Sequence, residues 1–155
     1  MSALTRITQS LYERDFAAWL EQQAALARAG KASLLDLTNI AEELEDMGRS
    51  ERRALESQFI RLLMHLLKWH YQKTHRSGSW HVSIRDARRQ IERILSDSPS
   101  LQPYAAEIFA SCYADARGDA AAETKQPIEV FPEDCPYTLD QVRDSEFFPD
   151  ATDSY

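Results

Sequence analysis

Apolar and polar positions alternate with a helical period along most of this chain, and the period breaks only where turn residues cluster. Tyr12, Phe16, Trp19, Leu20, Gln23, Leu26 and Ala27 recur at steps of three and four, which predicts an amphipathic helix over 11–29 that stops at Gly30. A longer seam follows through Leu37, Ile40, Leu44, Met47, Glu51, Leu55, Phe59, Leu62, Leu66 and Trp69. It predicts one helix over 36–73, capped by Asp36 and bent at Gly48 if Gly48 disturbs it, with a break into two helices as the alternative. Ser77, Gly78 and Ser79 form a turn, with either serine able to cap a third helix over 79–97. Its apolar face is Trp80, Ile84, Ala87, Ile91, Ile94 and Leu95, and Arg85, Arg88, Arg89 and Arg93 are placed on the opposite side. Pro103 suits the first turn of a fourth helix over 100–122, with a stripe of Tyr104, Ala105, Ile108, Phe109, Cys112 and Ala116.

The period then ends. Residues 123–155 hold four of the six prolines, yet also Ile128, Val130, Phe131, Tyr137, Leu139, Val142, Phe147 and Phe148. A disordered acidic tail has no need of so many large apolar groups. The segment reads as an ordered strap laid over the helices, and Thr138 with Gln141 forms a capping box for one or two helical turns. The expected fold is therefore all-α. It comprises a flexible N-terminus (1–10), an antiparallel bundle of about four main helices around one long central helix (11–122), and an irregular acidic strap (123–155).

Composition narrows the function. Only four glycines are present among 155 residues, so no phosphate-cradling Gly-rich loop exists, nor a Gly-x-Ser-x-Gly elbow. Cys112 and Cys135 form no metal-type pair and read as free thiols of a reducing cytoplasm, with Cys112 a small core residue. No stretch resembles a signal peptide or a membrane span. The net charge of −7 is segregated: residues 49–93 hold 11 bases and 4 acids, while residues 115–155 hold 3 bases and 11 acids. The expectation is that the acidic tail, or the five acids of 36–46, neutralises the arginines of the third helix.

The stretch "LLMHLLKWHYQ" (62–72) poses the sharpest question, because His65 sits inside the most apolar run. His65, His70, His75 and His81 are spaced five, five and six apart, so no two share a helix face as metal ligands at i and i+4 do. No Glu-x-x-His of the di-iron bundles occurs. His65 is read as a structural hydrogen-bonding histidine at the border of a widely buried helix, needing partners from a neighbouring helix or the strap. Ser57, Arg61 and Lys68 mark the solvated sector.

At "YERDFAAWLEQQAALARAG", "IAEELEDMGRSERRALES", "LLMHLLKWHYQ", "SGSWHVSIRDARRQIERIL" and "FPEDCPYTLDQV" the chain resembles the DUF29 family, over about 10–150. The family motif matches at His65, Leu66, Leu67, Lys68, Trp69, Tyr71 and Gln72, with Lys73 where a proline often follows. The resemblance implies a bacterial α-helical protein of unknown function and carries no catalytic residues. The reading that results is a non-enzymatic protein-interaction or adaptor module in the bacterial cytoplasm, monomer or homodimer, with no cofactor and no metal. The alternative is a ligand- or metal-binding bundle, a possible enzyme, with a site around His65, Trp69, Tyr71 and Trp80. The third reading, nucleic-acid binding through Arg85, Arg88, Arg89 and Arg93, is disfavoured by a pI near 5.1.

Overall fold

A computed structural model describes residues 10–150. The described residues form six α-helices and no strand. These are α1 (Leu11–Arg14), α2 (Phe16–Arg28), α3 (Leu37–Tyr71), α4 (Gly78–Asp97), α5 (Gln102–Thr124) and α6 (Leu139–Arg143). The flexible N-terminus expected over 1–10 lies outside the described residues except for Ser10, as does the end of the strap beyond Asp150. The chain divides into two compact units, one reaching Arg49 and the other starting at Ser50.

The first unit is a helical hairpin. The single helix expected over 11–29 is broken at Asp15, whose backbone (φ −152°, ψ 89°) leaves the helical region. Its carboxylate accepts from the Ala18 N–H at 3.0 Å, so a short acidic side chain replaces the helix bond and restarts the helix. Gly30 ends α2 with φ +70°, a conformation that favours glycine. Asp36 then caps α3, accepting from Asn39 N–H (3.4 Å) and Asn39 Nδ2 (2.8 Å). Helix α3 continues through Gly48, around which a Cβ would meet only open space, so no close helix contact explains that glycine.

The second unit is built on the C-terminal part of α3. Leu55, Phe59, Leu62, Leu63, Leu66 and Leu67 are buried there, against Ile84, Ala87, Ile91 and Leu95 of α4 and Ala105, Cys112, Tyr113 and Ala116 of α5. The cross-contacts fix the topology. Arg61 pairs with Asp86 and Lys68 reaches Trp80, so α4 runs antiparallel to α3. Glu56 meets Tyr104, Phe59 meets Phe109 and Lys68 meets Glu123, so α5 runs parallel to α3. Ser77 is the cap of α4, its Oγ accepting from Trp80 N–H at 3.3 Å.

The strap closes this three-helix core. Phe131, Tyr137 and Val142 are buried in it, at 1%, 6% and 0% exposure. Arg117 Nε donates to the Phe131 carbonyl at 3.0 Å, and Tyr137 OH lies 2.9 Å from His70 Nδ1. Thr138 and Gln141 form the reciprocal capping box at the start of α6.

Candidate functional site

Two features of the second unit bear on chemistry. Around His65, the four candidates His65, Trp69, Tyr71 and Trp80 do not converge. Trp69 packs against His81 and Phe148, with Arg76 over its ring. Tyr71 meets His70 and, edge-on, Phe131. Trp80 faces Lys68. His65 Nδ1 lies 2.8 Å from the carbonyl of Arg61, one turn back in its own helix. The partner is thus α3 itself, where a neighbouring helix or the strap was expected. Burial holds the imidazole below its usual range, only partly offset by that carbonyl.

The sequence pattern misplaced Lys68. The pattern puts it in the solvated sector, but it is only 6% exposed. Its Nζ sits 4.6 Å from the centroid of the Trp80 ring and 3.4 Å from Glu123 Oε2. An ammonium so buried survives through the aromatic face and the carboxylate together. Spacing from Trp80 and Glu123 carried no sign of this, because both partners come from other helices. Among the described residues no group of three or more His, Cys, Asp or Glu side chains is placed to hold a metal ion. Cys112 is buried and its thiol is pushed up to about 12, chiefly by desolvation, as a core residue rather than a nucleophile.

The sign of the His65 shift makes a testable statement. A histidine whose folded pKa is depressed binds its proton less readily than in the unfolded chain. Its contribution to stability is present above about pH 6.5 and is lost as pH falls toward the folded value. Replacing His65 by Leu should flatten the fall in melting temperature between pH 7 and pH 5 while leaving the unfolding free energy at pH 7.5 within about 1 kcal/mol of wild type. Equal slopes in both proteins, measured by circular dichroism, would show that His65 is not the titrating group.

The second feature is the arginine face of α4. Arg85, Arg88, Arg89 and Arg93 do not share one environment. Arg88 is 5% exposed and points into the strap, a correction to its expected place on the surface. Its Nε donates to the Val142 carbonyl at 2.7 Å and its Nη2 to the Phe147 carbonyl at 2.6 Å, with the guanidinium 5.2 Å from the Phe148 ring centroid. The strap therefore hydrogen-bonds Arg88 with backbone oxygens and covers it with an aromatic face, while the Asp144 carboxylate acts on it without a direct ion pair. Arg143 of α6 reverses the expected polarity, giving its own charge to Glu92 of α4 at 2.8 Å.

The first unit contributes a surface. Tyr12 hydrogen-bonds Glu43, Trp19 Nε1 donates to Asp36 Oδ2 at 3.1 Å, and buried Gln23 accepts from Asp36 N–H at 2.8 Å. These pairs fix α2 antiparallel to the start of α3. They also leave six large apolar side chains open: Phe16 (45%), Leu20 (46%), Leu34 (61%), Leu37 (65%), Leu44 (62%) and Met47 (64%). On α2 the open pair is turned roughly 40–80° round the helix from inward-facing Trp19 and Gln23. On α3, Leu37, Leu44 and Met47 are turned the same way, roughly 60–140°, from Asn39 and Glu43. In an antiparallel pair that shared sense places both stripes on one side of the hairpin.

Among the described residues, no helix is long and apolar enough to cross a membrane. A family model described as a domain of unknown function, DUF29, matches residues 11–148. No curated protein and no solved structure matches the chain.

Proposed function

We propose, for a chain that belongs to the DUF29 family and takes no reaction from that membership, that it is a bacterial cytoplasmic protein-interaction module whose docking element is the helical hairpin. One observation carries this reading: the open apolar side chains of the hairpin, Phe16 and Leu20 on one helix and Leu37, Leu44 and Met47 on the other, with Leu34 open in the turn between them. Taking roughly 200 Å² for each side chain, the exposed apolar part of the hairpin sums to roughly 700 Å², close to one side of a standard interface. The partner is an amphipathic helix with an apolar stripe and a basic rim. Residues 11–49 hold eight acids and four bases, net −4, so a second copy of this unit would meet like charge and a Lys/Arg-flanked helix would meet opposite charge.

The test uses an amphipathic Leu/Lys peptide of about 18 residues and its Leu/Glu counterpart, titrated into the full chain by calorimetry. The Leu/Lys peptide should bind at least about tenfold more tightly, and the double variant L44Q/M47Q should lose about tenfold or more, each anchor being worth about 1–2 kcal/mol. Light scattering supplies the contrary result. A stable dimer that L44Q/M47Q dissociates would make the occupant a second copy, and equal binding of both peptides would remove the basic rim.

A further inference from the structure

Arg88 is the arginine of α4 that holds the strap. A cleft of about 560 Å³ opens between α4 and the strap, within the size range of small-molecule sites. Its charged lining is Arg85, Arg88, Arg89 and Arg143 against Glu92 and Glu146, a balance of four cations and two anions, net +2. Much of that charge is not used internally. Glu92 is consumed by Arg143, which grips both its oxygens at 2.8 and 3.1 Å and gives Nη1 to Gln102 at 3.0 Å. Among the described residues Arg85 makes no ion pair, and Arg89 has only a distant one, 3.8 Å to Asp86. That Asp86 is already held by Arg61 at 2.7 Å. Arg88 is the buried member of the lining, and its Nη1 has no hydrogen-bond partner although it is out of contact with solvent.

A buried guanidinium nitrogen with no acceptor is costly, and such an atom calls for an explanation. The strap carbonyls take Nε and Nη2 and leave Nη1 over. His81 and Phe148 also line the cleft, their rings stacked at 4.8 Å and 3°. Strap carbonyls hold Arg88 in one orientation, so its one spare donor, Nη1, is fixed before any ligand arrives.

We propose that this cleft binds the phosphoryl group of a small-molecule phosphate, with Arg85, Arg88 and Arg89 as the groups that hold it. Three guanidinium groups around one pocket suit a compact anion with several acceptor oxygens. The surplus of two positive charges matches the roughly −1.5 to −2 of a phosphate monoester at neutral pH, whereas a single carboxylate leaves a cation over. At about 560 Å³ the cleft has the volume of a small-molecule site, not the extended basic groove that tracks a polyanion's backbone.

Calorimetric titration of the full chain tests this with four probes: inorganic phosphate, adenosine monophosphate, citrate and a random DNA duplex. Saturable one-site binding of phosphate or of the nucleotide is expected, at least about tenfold tighter than citrate. A preference for the nucleotide would locate the source in a phosphorylated metabolite, and equal affinity would locate it in the free anion. The exposed pair R85Q/R89Q should weaken binding about tenfold or more with the melting temperature unchanged. Because neither residue is in the core, that variant stays readable where an Arg88 variant fails to fold. The proposal is overturned by absence of saturation to about 10 mM, by citrate binding as tightly, by an unaffected R85Q/R89Q, or by salt-dependent DNA binding tighter than that of the nucleotide.

Discussion

A chain ending at Gln126 should lose cooperative folding. The truncation removes Phe131, Tyr137 and Val142, all buried in the second unit. At about 1.5–3 kcal/mol for each large apolar side chain withdrawn from water, the three together supply roughly 5–9 kcal/mol. A domain of this size has about 5–15 kcal/mol in all. The loss is compounded by the polar groups left behind. Arg88 would lose both carbonyl acceptors, Arg117 would lose the Phe131 carbonyl, and Tyr113 would lose the Pro132 carbonyl. Urea denaturation followed by tryptophan fluorescence and circular dichroism measures this. A truncated chain that unfolds in a single transition within about 1 kcal/mol of the full chain would show that the strap is peripheral.

The strap was legible as apolar content in a Pro-rich segment, and the Thr138–Gln141 capping box was legible residue by residue, since both bonds of that motif are local. The helices were legible for the same reason: burial on one face imprints a period of 3.6 on the chain, and Leu55, Phe59, Leu62 and Leu66 show it. What failed was nonlocal. Lys68 and Arg88 carry the residue types of a solvated face, and their burial is set by groups far along the chain. Those groups are Trp80 and Glu123 for one, and the carbonyls of Val142 and Phe147 for the other. A carbonyl acceptor has no sequence signature at all, because every residue carries one. The break at Asp15 failed differently. Apolar periodicity runs straight through it, and the local competition of a short carboxylate for a helix N–H decided the matter. The open hairpin face was hidden by its own regularity: Leu37, Leu44 and Met47 obey the same seam as the buried residues beyond them, and pattern alone does not say whether a stripe has found a partner.

The other large effect is expected at Arg88. Replacing it by Met keeps much of the volume and the apolar contact with Phe148 but removes every donor. The Val142 and Phe147 carbonyls, now bonded at 2.7 and 2.6 Å, would be left without their guanidinium. Bonds to a charged donor are worth about 1.5–3 kcal/mol each, and an acceptor left unsatisfied in a buried place costs about 1–3 kcal/mol. Against this stands the relief of desolvating a cation. Burial pulls the Arg88 guanidinium below its ordinary range, with Asp144 only partly opposing it, so the native state already bears part of that penalty. Buried charges replaced by apolar groups sometimes leave stability unchanged for this reason. Here the acceptors are two backbone oxygens that cannot be removed with the arginine, so the loss should dominate, at about 2–4 kcal/mol. The strap should also loosen before the helices do. Native-state hydrogen exchange reads both effects: in Arg88→Met the amides of 139–148 should exchange well ahead of those of α3 and α4, whereas in the wild type they should open with the core. If the variant were as stable as wild type, with strap amides equally protected, Arg88 would not be the clamp, and Tyr137, Val142 and the apolar contacts would hold the strap by themselves.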